Sequence, residues 1–124
     1  MNMIRTIIRA DIMGYCMGVR RAVESAEEAL LDSPIRPVYT YGPLIHNPQA
    51  LERLASAGVV IVGEGYEPLP GDFLGATVVI RAHGVPPAER AELERRGAHI
   101  VDATCPRVLS SQKRARVYHE KGYK

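Results

Sequence analysis

At 124 residues the chain is one domain's worth of polypeptide, enough for a real core but too short for a multidomain enzyme unless partners complete it. Its 16 basic and 14 acidic residues leave a formal charge of +2 spread along the chain, which gives little pull toward nucleic acid or a membrane. No apolar run approaches the roughly 20 residues of a membrane span, and Met1-Asn2-Met3-Ile4-Arg5 lacks a long apolar signal core. A cytoplasmic protein with neither a nucleic-acid nor a membrane partner is therefore expected.

In chain order, strand-like and helix-like segments alternate. Thr6-Ile7-Ile8-Arg9-Ala10 reads as a strand, followed by Gly14-Tyr15-Cys16-Met17-Gly18 and a helical run from Val19. Val19, Ala22, Val23, Ala26 and Leu30 fall at helical spacing, with Glu24, Glu27 and Glu28 elsewhere around the turn. Val38-Tyr39-Thr40-Tyr41 is the next strand and runs into Ile45-His46-Asn47-Pro48, where Asn47 suits an N-cap and Pro48 the first helical position. Leu51, Leu54 and Ala55 give that helix its apolar face, and Gly58 ends it as a left-handed cap before Val59-Val60-Ile61-Val62.

Residues 63–75, with two prolines and several glycines, form a loop carrying a Pro-Gly-Asp turn. Thr77-Val78-Val79-Ile80 is a strand ending in Ala82-His83-Gly84, and Pro86 and Pro87 open a mixed-charge helix over Ala88 to Arg96 that buries mainly Ala91 and Leu93. His99-Ile100-Val101-Asp102 runs into Thr104-Cys105-Pro106, and residues 107–124 form a basic helix with a weak apolar face. The alternation predicts an α/β fold, with a mainly parallel sheet flanked by helices and right-handed crossovers.

Cys16, His46, His83 and Cys105 each stand where an apolar run gives way to a helix. In a parallel α/β sheet the carboxyl ends of the strands share one edge, and ligands bind in the crevice there, so all four are expected along that edge. A cysteine at a helix N-terminus faces backbone amides and the positive end of the dipole, a setting that favours a thiolate able to bind iron or zinc. Glycines at 14 and 18 leave room beside the Cys16 sulfur. The chain has no CxxC pair, so any metal site must be assembled by the fold. The histidines are open to two uses, completing a two-Cys, two-His zinc site or facing the phosphate of an anionic ligand beside helix N-termini. His99 and His119 have no such setting and read as structural or solvent-facing.

In order, Gly-Tyr-Cys-Met-Gly-Val at 14–19, Ile-His-Asn at 45–47, Ala-His-Gly-Val at 82–85 and Asp-Ala-Thr-Cys-Pro at 102–106 closely resemble the LytB or IspH family, the 4-hydroxy-3-methylbut-2-enyl diphosphate reductases. The resemblance covers the N-terminal part of a family member. It implies the last step of the methylerythritol phosphate route to isoprenoids. There the hydroxyl of an allylic diphosphate is reductively removed, with electrons from a ferredoxin or flavodoxin, to give isopentenyl and dimethylallyl diphosphates. It also implies three α/β lobes around a 4Fe–4S cluster held by three cysteines. On that pattern Cys16 and Cys105 are cluster ligands, while His46 and His83 contact the substrate diphosphate.

Residues 1–105 are then expected as an N-terminal lobe carrying two cluster cysteines, and 106–124 as a basic helix that starts a second lobe. The family's third cysteine, third diphosphate histidine, proton-delivering glutamate and Ser-x-Asn segment have no counterpart here. No catalytic residue is therefore assigned, and the chain alone is expected to be inactive until the remaining lobes, or a second copy, complete the site. A truncated or divided polypeptide and a solvated C-terminal helix are equally open readings of the last residues. The competing functions are a non-enzymatic Cys2His2 zinc domain and a metal-free diphosphate-binding module.

Overall fold

The computed structural model describes residues 5–9 and 16–124. The β-branched runs of the sequence become four short strands, β1 (Val38–Tyr41), β2 (Val59–Val62), β3 (Thr77–Ile80) and β4 (His99–Asp102). All pair in parallel in the order β2-β1-β3-β4. The helices are α1 (Met17–Asp32), α2 (Pro48–Ala57), α3 (Pro87–Arg95) and α4 (Pro106–Glu120).

Strand residues alternate between two core layers, as the pleat requires. On one face Val38, Val59 and Val79 meet Ala22, Ala26 and Ala29 of α1 and Leu54 of α2. On the other, Tyr41, Val62, Val78 and Ile80 meet Leu93 of α3 and Phe73 of the loop between β2 and β3. The small alanines let α1 lie close to the sheet. β3 is buried at all four positions, because it has helices on both faces and a strand on each side.

Local chemistry explains the helix boundaries. Asn47 Oδ1 accepts the Ala50 amide at 3.1 Å with Pro48 at the first helical position, and Gly58 at φ 110° closes α2 in the left-handed region. The predicted turn is present at Gly71-Asp72, where Asp72 Oδ1 accepts the Leu74 amide at 2.8 Å. Its loop is stitched to the end of α3 by the Phe73 and Gly75 amides, which donate to the Arg96 and Gly97 carbonyls at 2.7 and 2.9 Å.

Three expectations change. Thr6 to Arg9 form no strand; Ile7 and Ile8 are 85% and 89% exposed, and among the described residues no neighbouring strand supplies the hydrogen bonds that an extended chain needs. Ala10 and Gly14 lie outside the described residues. On α3, Leu93 is fully buried but Ala91 is exposed, since the helix meets the sheet along one narrow line. On α2, Ala50 rather than Ala55 joins Leu54 in the buried face.

The order of connections positions the site. From β1 the chain passes through α2 on one face to β2, while from β3 it passes through α3 on the opposite face to β4. The loops leaving the carboxyl ends of β1 and β3 therefore part in opposite directions. They open a crevice at the topological switch point, where ligands bind in sheets of this kind.

Candidate functional site

Both cysteines are N-cap residues. Cys16 precedes α1 and Cys105 precedes α4; each has extended backbone, and neither sulfur is used to cap its helix. The Cys105 amide donates to the Ala82 carbonyl at 2.9 Å, tying the end of β4 to the end of β3. Gly18, in the first turn of α1, lies against Cys105. A Cβ placed on Gly18 would come within 2.9 Å of both Cβ and Sγ of Cys105, and within 3.6 Å of Ala82 Cβ. Only a residue without a side chain lets the two helix N-termini approach this closely. Cys16 is exposed and Cys105 half-buried, and both are free thiols.

His46 is exposed in the turn between β1 and α2, directly before the Asn47 cap. His83 is exposed in the turn after β3, which is closed by the Gly84 amide donating to the Arg81 carbonyl at 2.9 Å. Gly84 adopts φ +76°, and a Cβ there would come within 3.1 Å of the Thr104 methyl. The two histidines line one open pocket of about 290 Å³ together with Pro43, Glu64 and Arg81. This is the switch-point crevice. His83 also borders a second hollow of about 380 Å³ whose far wall is Gln112 and Arg116 of α4.

A larger hollow of about 410 Å³ opens at the other end of the sheet, between α1 and the starts of β3 and β4, and is lined by His99 but by none of the four motif residues. Volume is a poorer guide than topology here, because the helix N-termini and the motif side chains are all at the carboxyl edge. His99, expected to be structural or solvent-facing, is exposed.

Electrostatics near the histidines centre on Arg81. Its guanidinium pairs with the Glu64 carboxylate, and that bond, helped by the positive charge, holds the Glu64 carboxyl below its usual range. The same bond raises the Arg81 value against the opposing effect of burial. Tyr41, beneath the pair, is pushed up by burial and by nearby Glu89. Next to Cys105, burial works against the charge on Asp102. Hydrogen bonds from the Thr104 hydroxyl and amide, with the Arg90 guanidinium at 2.6 Å, nevertheless hold its carboxyl below the usual range.

All four residues singled out in the sequence are thus at the carboxyl edge, in two groups rather than one. Among the described residues no three His, Cys, Asp or Glu side chains converge as a metal site. The two cysteines are thiol donors on adjoining helix N-termini. That donor set suits two corners of an iron–sulfur cluster, whose usual ligand is cysteine thiolate. Sequence reasoning missed Arg81 and Glu64. An arginine closing an apolar strand was a signal for the first; for the second there was none, because only the pairing of β1 with β2 brings residue 64 to this edge.

The family model described as LytB protein matches residues 7–124. The 4-hydroxy-3-methylbut-2-enyl diphosphate reductase of Treponema denticola is 41% identical over 117 residues, covering 93% of this chain and 40% of the relative. The reductase of Aquifex aeolicus is 48% identical over 102 residues, covering 82% of this chain and 33% of the relative. Two solved reductase structures superpose well. One, described as the terminal enzyme of the non-mevalonate pathway, has TM-score 0.75 and 43% identity over 94% of this chain and 40% of its own. The other, from Plasmodium falciparum, has TM-score 0.78 and 28% identity over 91% of this chain and 34% of its own. The chain thus spans two fifths or less of these relatives' length, and with its motifs in order on the matching fold it belongs to the LytB family.

Proposed function

We propose that this chain provides one lobe of a 4-hydroxy-3-methylbut-2-enyl diphosphate reductase, residues 1–105, together with the helix that begins the next, residues 106–124. The observation that carries the reading is the grouping at one sheet edge. Two unspent thiols stand at adjoining helix N-termini, and two histidines share the switch-point pocket. In this reading Cys16 and Cys105 would hold two irons of a 4Fe–4S cluster, which would supply electrons to the allylic substrate.

His46 and His83 hold the substrate's diphosphate by hydrogen bonds to its oxygens. α2 and α3 start at the same edge, so the positive ends of their dipoles favour the anion. The Asn47 cap and the Gly84 turn fix the backbone on which the histidines stand. A ferredoxin or flavodoxin donates the electrons, and the lobes that complete the site come from further protein or from a second copy. Among the described residues no helix is long and apolar enough to cross a membrane, and we place the protein in the cytoplasm.

The test is reconstitution without oxygen, using iron and sulfide and measuring bound iron, sulfide and the visible spectrum. Iron and sulfide that bind to the unaltered chain and are lost in both Cys16→Ser and Cys105→Ser support the reading. Retention in either variant refutes the assignment of that cysteine.

A further inference from the structure

Among the described residues Arg81 is the one arginine or lysine lining the histidine pocket, and its charge is already matched by Glu64. The two partners are held differently. Arg81 is anchored at the end of the buried strand β3, and its side chain is 19% exposed. Glu64, at 36% exposed, sits in a turn with left-handed backbone at three successive residues, Gly63 (φ 75°), Glu64 (φ 51°) and Gly65 (φ 86°). That conformation is strained for a glutamate, and Gly65 has open space around it. The meeting point itself depends on Gly42 (φ 70°), since a Cβ there would collide with both Arg81 Nη1 and Glu64 Oε2. The acid is therefore the partner free to leave, and the base is the partner that stays.

A guanidinium binds carboxylate and phosphate oxygens with the same forked geometry. From these observations we infer that Glu64 is an internal stand-in for the ligand's phosphate: an incoming diphosphate displaces its carboxylate and takes over Arg81. This rests on the histidine pocket being a diphosphate site and adds to it a cationic binding residue and a competitor for it. In the free protein Glu64 spares Arg81 from standing half-buried without a counter-ion. When the ligand arrives, one Arg ion pair is exchanged for another and the carboxylate swings to water. The exchange also selects among ligands, because an anion must out-compete a tethered carboxylate, which two phosphoryl groups do better than one.

The test is calorimetric titration of the 124-residue chain with inorganic pyrophosphate and with methyl phosphate, thermal melts serving as the folding control. Losing a charge-assisted contact in Arg81→Gln is expected to weaken pyrophosphate binding about tenfold or more. Removing the competitor in Glu64→Gln is expected to tighten it by about fivefold and to narrow the preference for pyrophosphate over methyl phosphate. Arg81→Lys, which keeps charge but not the fork, should recover only part of the loss. Weakening in Glu64→Gln comparable to that in Arg81→Gln would mean that the acid merely positions the base, and overturns the proposal. So does indifference of binding to both substitutions, or no pyrophosphate binding to the unaltered chain and to Glu64→Gln alike. Opposite responses at 81 and 64 with no effect of His46→Ala or His83→Ala would leave the exchange standing and refute the histidine assignment, so the two readings fail separately.

Discussion

At the scale of single residues, Gly18 shows how a sequence expectation became more specific in the fold. Glycine beside Cys16 suggested room for a bulky group near the sulfur. The structure shows that the room at Gly18 is taken by the second cysteine, whose Cβ and Sγ each lie 2.9 Å from where a Cβ would be. Gly18→Ala therefore sets two effects against each other. Alanine is the better helix former by up to about 1 kcal/mol, but overpacking a filled contact costs about 1–3 kcal/mol and moves Cys105. The expected outcome is a net loss of stability, read as a lower urea midpoint with unchanged slope, and reduced iron retention after reconstitution. Arg81 and Glu64 illustrate the opposite limit of legibility. Their meeting at Gly42 joins residues 17 apart in the chain across the β2-β1-β3 portion of the sheet.

At the scale of elements, the strands and helices whose chemistry is local were readable. Asn47-Pro48 at the start of α2 and Gly58 at its end supply an acceptor, a preset φ and a left-handed cap, and the helix begins and stops there. Asn47→Ala is expected to lower stability by about 1 kcal/mol in a urea titration and to broaden the backbone amide resonance of His46, which the cap holds in place. The run Thr6 to Arg9 has as good a strand pattern as any other but forms none. A strand requires a neighbour, and none of the described strands pairs with it. Likewise the start of α4 is set locally by Pro106 at its first turn, although the helix buries none of its residues.

At the scale of the whole molecule, Asp102 joins elements that are distant in sequence. Arg90 from α3 and Thr104 from the approach to α4 both converge on its carboxylate at the end of β4. Its folded pKa is below the unfolded one, so the stability it contributes is present above the ordinary aspartate value near about 3.9 and is lost as pH falls through the folded value. Glu64 acts in the same direction and with the same sign. Urea midpoints measured as pH is lowered from neutrality should hold steady down to the ordinary carboxylate range and then decline. In Asp102→Asn the decline should be shallower and the neutral-pH stability lower, the pair with Arg90 having been lost. Both carboxylates are partly exposed, so high salt should reduce the difference.

By itself, the sequence determined the parallel α/β plan, the boundaries of most elements, and the junctions that carry cysteine or histidine. These depend on periodicity and on capping residues within a few positions of one another. Tertiary structure decided which of those junctions lie together. The strand order β2-β1-β3-β4 sets His46 and His83 across the switch-point crevice, while the packing of Gly18 on Cys105 draws the two cysteine-bearing helix starts into a separate group. It also brought Arg81 and Glu64 into a pocket where neither was expected. The reason is physical: a cap or a turn is settled by neighbours along the chain, whereas a site at a sheet edge is settled by which strands lie side by side.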